Sequence, residues 1–224
     1  GERQRISALD RDRVAAIYSG REGHIWLGTD NGVVNADFYS FVDFTTSRGL
    51  ADNDVLAVVE PPAPDQARLW LLTASGVSRA EGERFAPLEG FRANVGVRAA
   101  VFDREGNSWF ATEQGALRLT GKTITQFNEG SGLASNNVRW VASTSMGAAV
   151  VFATSRGVSV FSEGQLRSLD ALAGHDVRHV FEDWDGRLWF STARGVVSVD
   201  AKSGETHTLD AAQGLADNDA RWTT

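Results

Sequence analysis

Apolar residues along this chain come in short bursts separated by turns rich in Asp, Asn, Ser and Gly. No window sustains apolar positions at the 3.6-residue period of a helix, so the pattern predicts strands. The bursts fall into a fixed order. A first segment carries apolar residues three apart: Val14 and Ile17, Val55 and Val58, Val97 and Ala100, Val138 and Val141, Val177 and Val180. A polar turn follows, as in Asp103-Arg104-Glu105-Gly106 and Asp183-Trp184-Asp185-Gly186, where Asp can bond its own downstream backbone and Gly takes a positive φ. A second, aromatic-rich segment then ends in threonine. Two variable residues and a glycine lead into the third segment, and a more polar fourth segment closes the unit, as in Glu83-Arg84-Phe85, Thr123-Ile124-Thr125 and Gln165-Leu166-Arg167.

The second segment and its turn return five times. They read Trp26-Leu27-Gly28-Thr29-Asp30-Asn31-Gly32, then Trp70 to Gly76, Trp109 to Gly115, Val151 to Gly157 and Trp189 to Gly195. Threonine follows threonine at steps of 44, 39, 42 and 38 residues. A period near forty made of four short strands predicts an all-β fold, a β-propeller of four-stranded antiparallel blades. A β-sandwich is the structural alternative, but sandwiches do not repeat one phrase in this way. The repeats span residues 10–48, 49–90, 91–131, 132–172 and 173–213, with 214–224 the start of a sixth. Residues 1–9 resemble the outermost strand of a preceding unit, so the expectation is part of a longer array within one propeller domain. A five-bladed ring closed by the two tails is the alternative.

Composition narrows the function. The chain has 224 residues, a net charge of −7, no cysteine and only two lysines, Lys122 and Lys202. Disulfides and thiolate metal sites are excluded. The negative charge argues against nucleic acid as a partner, because polyphosphate affinity comes from clustered cations. No stretch approaches twenty apolar residues, so no transmembrane helix is expected.

Between units a second phrase recurs, as Gly49-Leu50-Ala51-Asp52-Asn53-Asp54-Val55, Gly132-Leu133-Ala134-Ser135-Asn136-Asn137-Val138 and Gly214-Leu215-Ala216-Asp217-Asn218-Asp219-Ala220. Together, Gly-Leu-x-x-Asn-x-Val, an Asp-x-x-Gly turn, Leu-Trp-x-x-Thr and x-x-Gly-Val resemble the two-component regulator propeller repeat. Phe181-Glu182-Asp183-Trp184-Asp185-Gly186-Arg187-Leu188-Trp189 is the clearest stretch. The resemblance implies a non-catalytic, periplasmic or otherwise extracytoplasmic sensor, the input part of a bacterial hybrid histidine kinase or diguanylate cyclase. Its implied partners are a small-molecule or oligosaccharide ligand, further blades and a signalling module, and a homodimer is compatible with it. No cofactor is implied. The second unit departs from the pattern with a proline-rich turn (Pro61, Pro62, Pro64), and the fourth with Val151 for tryptophan and Met146-Gly147 in its turn.

In a propeller, the loops leading into the inner strands and the turns between second and third strands share one face. That face collects Asn53, Asn94, Asn136, Asn137, His175, Arg156 and Arg194 as candidate ligand contacts, although these are also turn-forming residue types. The residue after each first-strand apolar position is Arg98, Arg139, Arg178 and Arg221, against Ala15 and Leu56 in the first two units. Such arginines need anionic partners: Asp52, Asp54, Asp176 and Asp219 nearby, or an anionic ligand. Trp140 and Trp222 follow two of these arginines and could stack on a sugar, and His175 and His179 could approach each other beside them. Trp26, Trp70, Trp109 and Trp189 recur at one register and read as packing between blades. Trp184 lies in an opposite-face turn, where it could meet a partner.

Enzymatic alternatives lack their residues. A sialidase-like site would need a nucleophilic tyrosine, and only Tyr18 and Tyr39 exist. The four histidines, His24, His175, His179 and His207, show no metal-ligand spacing, and Asp183 with Asp185 falls short of a calcium site. A protein-binding scaffold is the remaining non-catalytic alternative to a sensor.

Overall fold

The computed structural model describes residues 9, 12–20, 23–36, 41–62, 69–91, 95–144, 149–200 and 203–221. The expected strand at residues 1–8, most of the proline-rich turn, the Met146-Gly147 turn, Asn94 and Trp222 lie outside them. The described residues are all-β: five four-stranded antiparallel sheets, each a blade of a β-propeller whose strands neighbour one another in chain order. The chain forms two compact units, Gly1–Arg98 and Ala99–Thr224.

The first unit holds two blades. One is β1 (Val14–Ser19), β2 (Ile25–Thr29), β3 (Gly32–Ala36) and β4 (Phe41–Phe44); the next is β5 (Val55–Val59), β6 (Trp70–Thr73), β7 (Gly76–Glu81) and β8 (Arg84–Pro87). Side chains alternate across each strand, so one face of a blade meets the opposite face of the next. Here Val33, Phe44 and Trp26 from the first blade pack on Val55, Val58, Leu71 and Phe85 of the second. Phe44 and Phe85 meet edge to face at 5.3 Å, and Trp26 closes the cluster against both.

The boundary between the two units falls in the chain within β9 (Val97–Phe102). The strands that follow are β10 (Ser108–Thr112), β11 (Gly115–Thr120) and β12 (Thr123–Phe127). The fourth blade is β13 (Val138–Ser143), β14 (Ala149–Thr154), β15 (Gly157–Ser162) and β16 (Gln165–Ser168). The fifth is β17 (Val177–Glu182), β18 (Arg187–Thr192), β19 (Gly195–Asp200) and β20 (Thr206–Leu209). Trp109, Ala111 and Ala116 pack on Val138, Val141, Val150 and Phe152, and Val151, Ala153 and Val158 pack on Val177, Val180, Leu188 and Phe190. The tryptophans at the repeated register split: Trp70 and Trp109 are buried, Trp26 and Trp189 half-buried. Val151, the valine at that register, is fully buried too.

The repeated threonine has a specific task. In every blade its hydroxyl donates to the carbonyl of the glycine three residues on, at 2.7–3.0 Å, and accepts from the backbone N–H two residues on. A buried hydroxyl thus closes the hairpin from inside and satisfies its own polarity. Two-residue hairpin turns usually need positive φ at both central residues. Among the described non-glycine residues only Glu163 has positive φ, so here the glycine takes it instead and the two central positions are left open to any residue. Gly115 shows why glycine is required: its φ is +122°, and a Cβ there would lie 2.1 Å from the Phe127 carbonyl oxygen of the adjacent β12. Gly115→Ala is expected to lower stability by more than about 2 kcal/mol and to loosen β12. Urea unfolding and faster amide exchange in β12 would show it.

The turn between first and second strands has its own lock. Asp103 accepts from the backbone N–H groups of Glu105 and Asn107 and from the Trp109 indole N–H at 2.7 Å. Asp183 does the same for Asp185, Arg187 and Trp189. Burial pushes the Asp103 carboxyl up, but the donors from Trp109, Asn107 and Glu105 outweigh it and hold the group below its ordinary value. For Asp183 the Trp189 donor leads and the direction is the same.

Candidate functional site

The arginines of the inner strands owe their position to an irregularity that repeats. In β13, Val138 pairs with Thr154 and Trp140 with Ala153, so Arg139 is an extra residue bulged out of the ladder. In β17 the same shift leaves Arg178 between Val177 and His179. The first unit has the bulge too, at Ala15 and Leu56. A bulge re-aims the side chain it carries. It therefore delivers arginine where the fourth and fifth blades have one, and alanine or leucine in the first two.

In the second unit these arginines form a chain of alternating charge. Arg139 Nε lies 2.7 Å from Asp176 Oδ1; Arg178 Nε lies 3.6 Å from Asp176 Oδ2; Arg178 Nη1 reaches Asp219; and Arg221 Nε lies 3.1 Å from Asp219 Oδ2. Each aspartate occupies the last position of a lead-in loop, so the pairs tie an inner strand to the loop of the following unit and to that of its own. Arg139 and Arg178 side chains are 34% and 25% exposed, which leaves the pairs half-buried, whereas Arg221 is 81% exposed. Arg221, then Arg178, hold the Asp219 carboxyl below its ordinary range. Arg98 stands at the corresponding place on β9, half-buried, at the end of the first unit. Asp54 occupies the same loop position as Asp176 and Asp219, but neither β1 nor β5 carries an arginine, and its Oδ1 is buried without a hydrogen bond.

Trp140 and His179 come together. Their rings lie 4.5 Å apart, tilted by 47°. His179 is only 6% exposed, and burial pushes its imidazolium down to about 4, so it is neutral in ordinary buffers. His179 faces Ser191 across the β17–β18 pair, and the buried Ser191 hydroxyl has no hydrogen-bond partner. His175 stands in the loop before β17, with Nδ1 buried and likewise without a partner.

The remaining candidates are engaged elsewhere. Asn53 and Asn136 use their side-chain oxygens to accept from the Thr46 and Glu129 N–H groups at 2.8 Å, which fixes the short 3-10 turns at Thr46–Arg48 and Glu129–Ser131. Asn218 does the same for Ala211–Gln213. Asn137 offers its backbone carbonyl to Ser155 N–H at 3.1 Å. Arg156 pairs with Glu129 at 2.5 Å, and that guanidinium holds the Glu129 carboxyl below its usual value. Arg194 is exposed on the turn after β18 and reaches its own blade through its backbone N–H to Thr192. None of these contacts joins them to the Arg139–Arg221 chain. Trp184 is fully exposed on the rigid Asp183 turn. Among the described residues no group of three His, Cys, Asp or Glu side chains converges as metal ligands.

The alternating pairs set guanidinium donors and carboxylate acceptors side by side, with the half-buried Trp140 following Arg139 in β13. No protein-family model matches the chain, and no curated protein matches it. Solved structures do. The chain is similar to the extracellular domain of hybrid two-component system BT3049 of B. thetaiotaomicron over 96% of its own length, with a TM-score of 0.80 and 21% identity. It is similar to that of BT4673 of the same organism over 89%, with a TM-score of 0.74 and 19% identity. It spans 31% and 28% of those chains, under a third of their length. A virginiamycin B lyase from Staphylococcus aureus also matches, at TM-score 0.69 and 15% identity, over 97% of this chain and 75% of that one. At these identities, what the proteins share is the propeller fold.

Proposed function

We propose that this chain is a non-catalytic, ligand-sensing part of a propeller at the extracytoplasmic input end of a bacterial two-component or cyclic-di-GMP signalling protein. The observation that carries the reading is the match over 96% of the chain to an extracellular domain of a hybrid two-component system. The lyase match warns that the fold alone does not decide function, so the weight also rests on the site. Its charged side chains neutralise one another in pairs, and among the described residues no three His, Cys, Asp or Glu side chains converge as metal ligands. In the whole protein, further blades and a signalling module would adjoin this segment, and the ligand would be a small molecule or an oligosaccharide.

The test is thermal unfolding in the presence of oligosaccharides, amino acids and organic acids. A ligand that binds only the folded state raises Tm with the logarithm of its concentration above Kd, adding about 2.7 kcal/mol of stability at a hundred times its Kd. A concentration-dependent shift of this form is expected from at least one class, weakened in Arg178→Gln. Silence from every class would overturn the sensing reading.

Trp184 favours a second reading, a protein-binding scaffold. An exposed indole on a turn locked by Asp183 is presented at little entropic cost, as binding hot spots are. Under that reading Trp184→Ser would abolish binding of a purified protein partner and leave every small-molecule shift unchanged.

A further inference from the structure

Seven buried side-chain polar atoms among the described residues have no hydrogen-bond partner; two of them face each other where the fourth blade meets the loop before the fifth, and a third belongs to the residue that precedes one of these in the chain. They are Arg139 Nε, His175 Nδ1 and Asp176 Oδ1. Arg139 Nε and Asp176 Oδ1 lie 2.7 Å apart, close enough to attract as ions, yet the pair does not meet the geometry of a hydrogen bond. A donor and an acceptor are thus buried side by side with their directional capacity unspent, and His175, which precedes Asp176 in the chain, carries an imidazole nitrogen in the same state. Native interiors rarely leave such groups unmatched, so each calls for an explanation.

The charge pattern says what kind of molecule fits. Arg139, Asp176, Arg178 and Asp219 are half-buried and sum to zero, while the extra positive charge, Arg221, stands in solvent. An anion that drew Arg139 away would leave Asp176 sharing only the looser 3.6 Å contact to Arg178, and a cation drawn to Asp176 would strand Arg139 in the same way. Breaking a half-buried pair by taking one partner is costly. A ligand carrying both charges avoids that loss, because it replaces each partner as it removes it. Resting on the sensing reading above, we propose that this corner binds a free amino acid: its carboxylate takes the Arg139 guanidinium, its ammonium takes Asp176, and His175 Nδ1 completes the hydrogen bonding. Trp140 follows Arg139 directly and lies half-buried against His179, so the ligand side chain meets an aromatic wall, and apolar or aromatic amino acids bind best.

Isothermal titration of the 224-residue protein with each of the twenty amino acids tests this, followed by the N-acetyl and carboxamide forms of the tightest binder. At least one free amino acid should bind saturably, with affinity lowered about tenfold or more by blocking either charge. Arg139→Gln and Asp176→Asn should each remove binding, with folding checked by thermal melts, while Arg167→Gln, at an exposed site on β16, should not. Equal binding of the N-acetyl form would overturn the proposal in favour of a simple anion site. No binding by any amino acid would overturn it as well. If oligosaccharides or organic acids shift Tm while amino acids do not, this assignment fails and the sensing reading stands; silence from all of them fails both.

Discussion

Trp109→Ala is expected to cost about 3–5 kcal/mol, the largest loss of any single truncation in the second unit. Its side chain is fully buried and packs against Phe127, Phe152 and Phe161 at ring distances of 5.4, 5.6 and 4.7 Å. The Arg118 guanidinium covers the same group, with its carbon 5.4 Å from the Trp109 ring and within 5.7 Å of Phe127 and Phe161. Alanine would leave a cavity between the third and fourth blades, take one ring from the set around Arg118 and strand Asp103 without its indole donor. Trp109→Phe separates these effects: it keeps most of the packing and loses the N–H, for about 1–2 kcal/mol. Urea midpoints for the two variants would measure both. A loss for Trp109→Ala no greater than for Trp109→Phe would show that the cluster is not the keystone proposed. Val151 holds the same register in the fourth blade, fully buried in one cluster with Leu188 and Phe190 of the fifth.

Acid will weaken this protein before the carboxylates that the fold holds below their ordinary values are protonated. His179 has its imidazolium pushed from 6.5 down to about 4 by burial. The unfolded chain therefore takes up the proton first. Stability is at its full value above pH 6.5, declines as pH falls below it, and levels off near pH 4, where the folded state is protonated as well. The loss across that window is about 3 kcal/mol. Asp52, Asp103, Asp183, Asp219 and Glu129 all lie below their ordinary values, so their contributions disappear only at lower pH. Unfolding free energies from pH 7 to 4 for the parent and for His179→Phe would isolate the effect. An unchanged slope in the variant would refute it.

The repeat register, the four-stranded blades and the packing role of Trp26 and Trp109 are legible in the sequence, because each depends on local pattern or on a phrase that recurs. The bulge at Arg139 and Arg178 is not. A bulge is a property of two paired strands, and nothing in Val138-Arg139-Trp140 announces that Arg139 has no partner opposite. The threonine locks were visible only as a recurring letter; that the hydroxyl spans to the glycine carbonyl requires the turn's coordinates. Asn53 and Asn136 show the opposite limit. Their residue type suits a ligand contact and a helix cap equally, and only the 2.8 Å contacts to Thr46 and Glu129 separate the two. Position in the repeat leaves the inner arginines either the neighbouring aspartates or an anionic ligand as partners; the pairs with Asp176 and Asp219, and the off-line geometry at Arg139 Nε and Asp176 Oδ1, need the structure.

The alternating pairs also give the blades an address. Arg139 leans on an aspartate supplied by the loop that follows its own blade, and Arg178 on the next, so the fourth and fifth blades are each succeeded by a loop that ends in aspartate. A threonine lock travels with its own blade when segments are duplicated or exchanged; an arginine at the bulge does not. Reordering the fourth and fifth blades, or inserting after either a blade whose loop ends in glycine or asparagine, would remove the aspartate that Arg139 or Arg178 now meets. Whoever recombines such repeats to change specificity inherits, at these two junctions, a pairing written in one residue from each side.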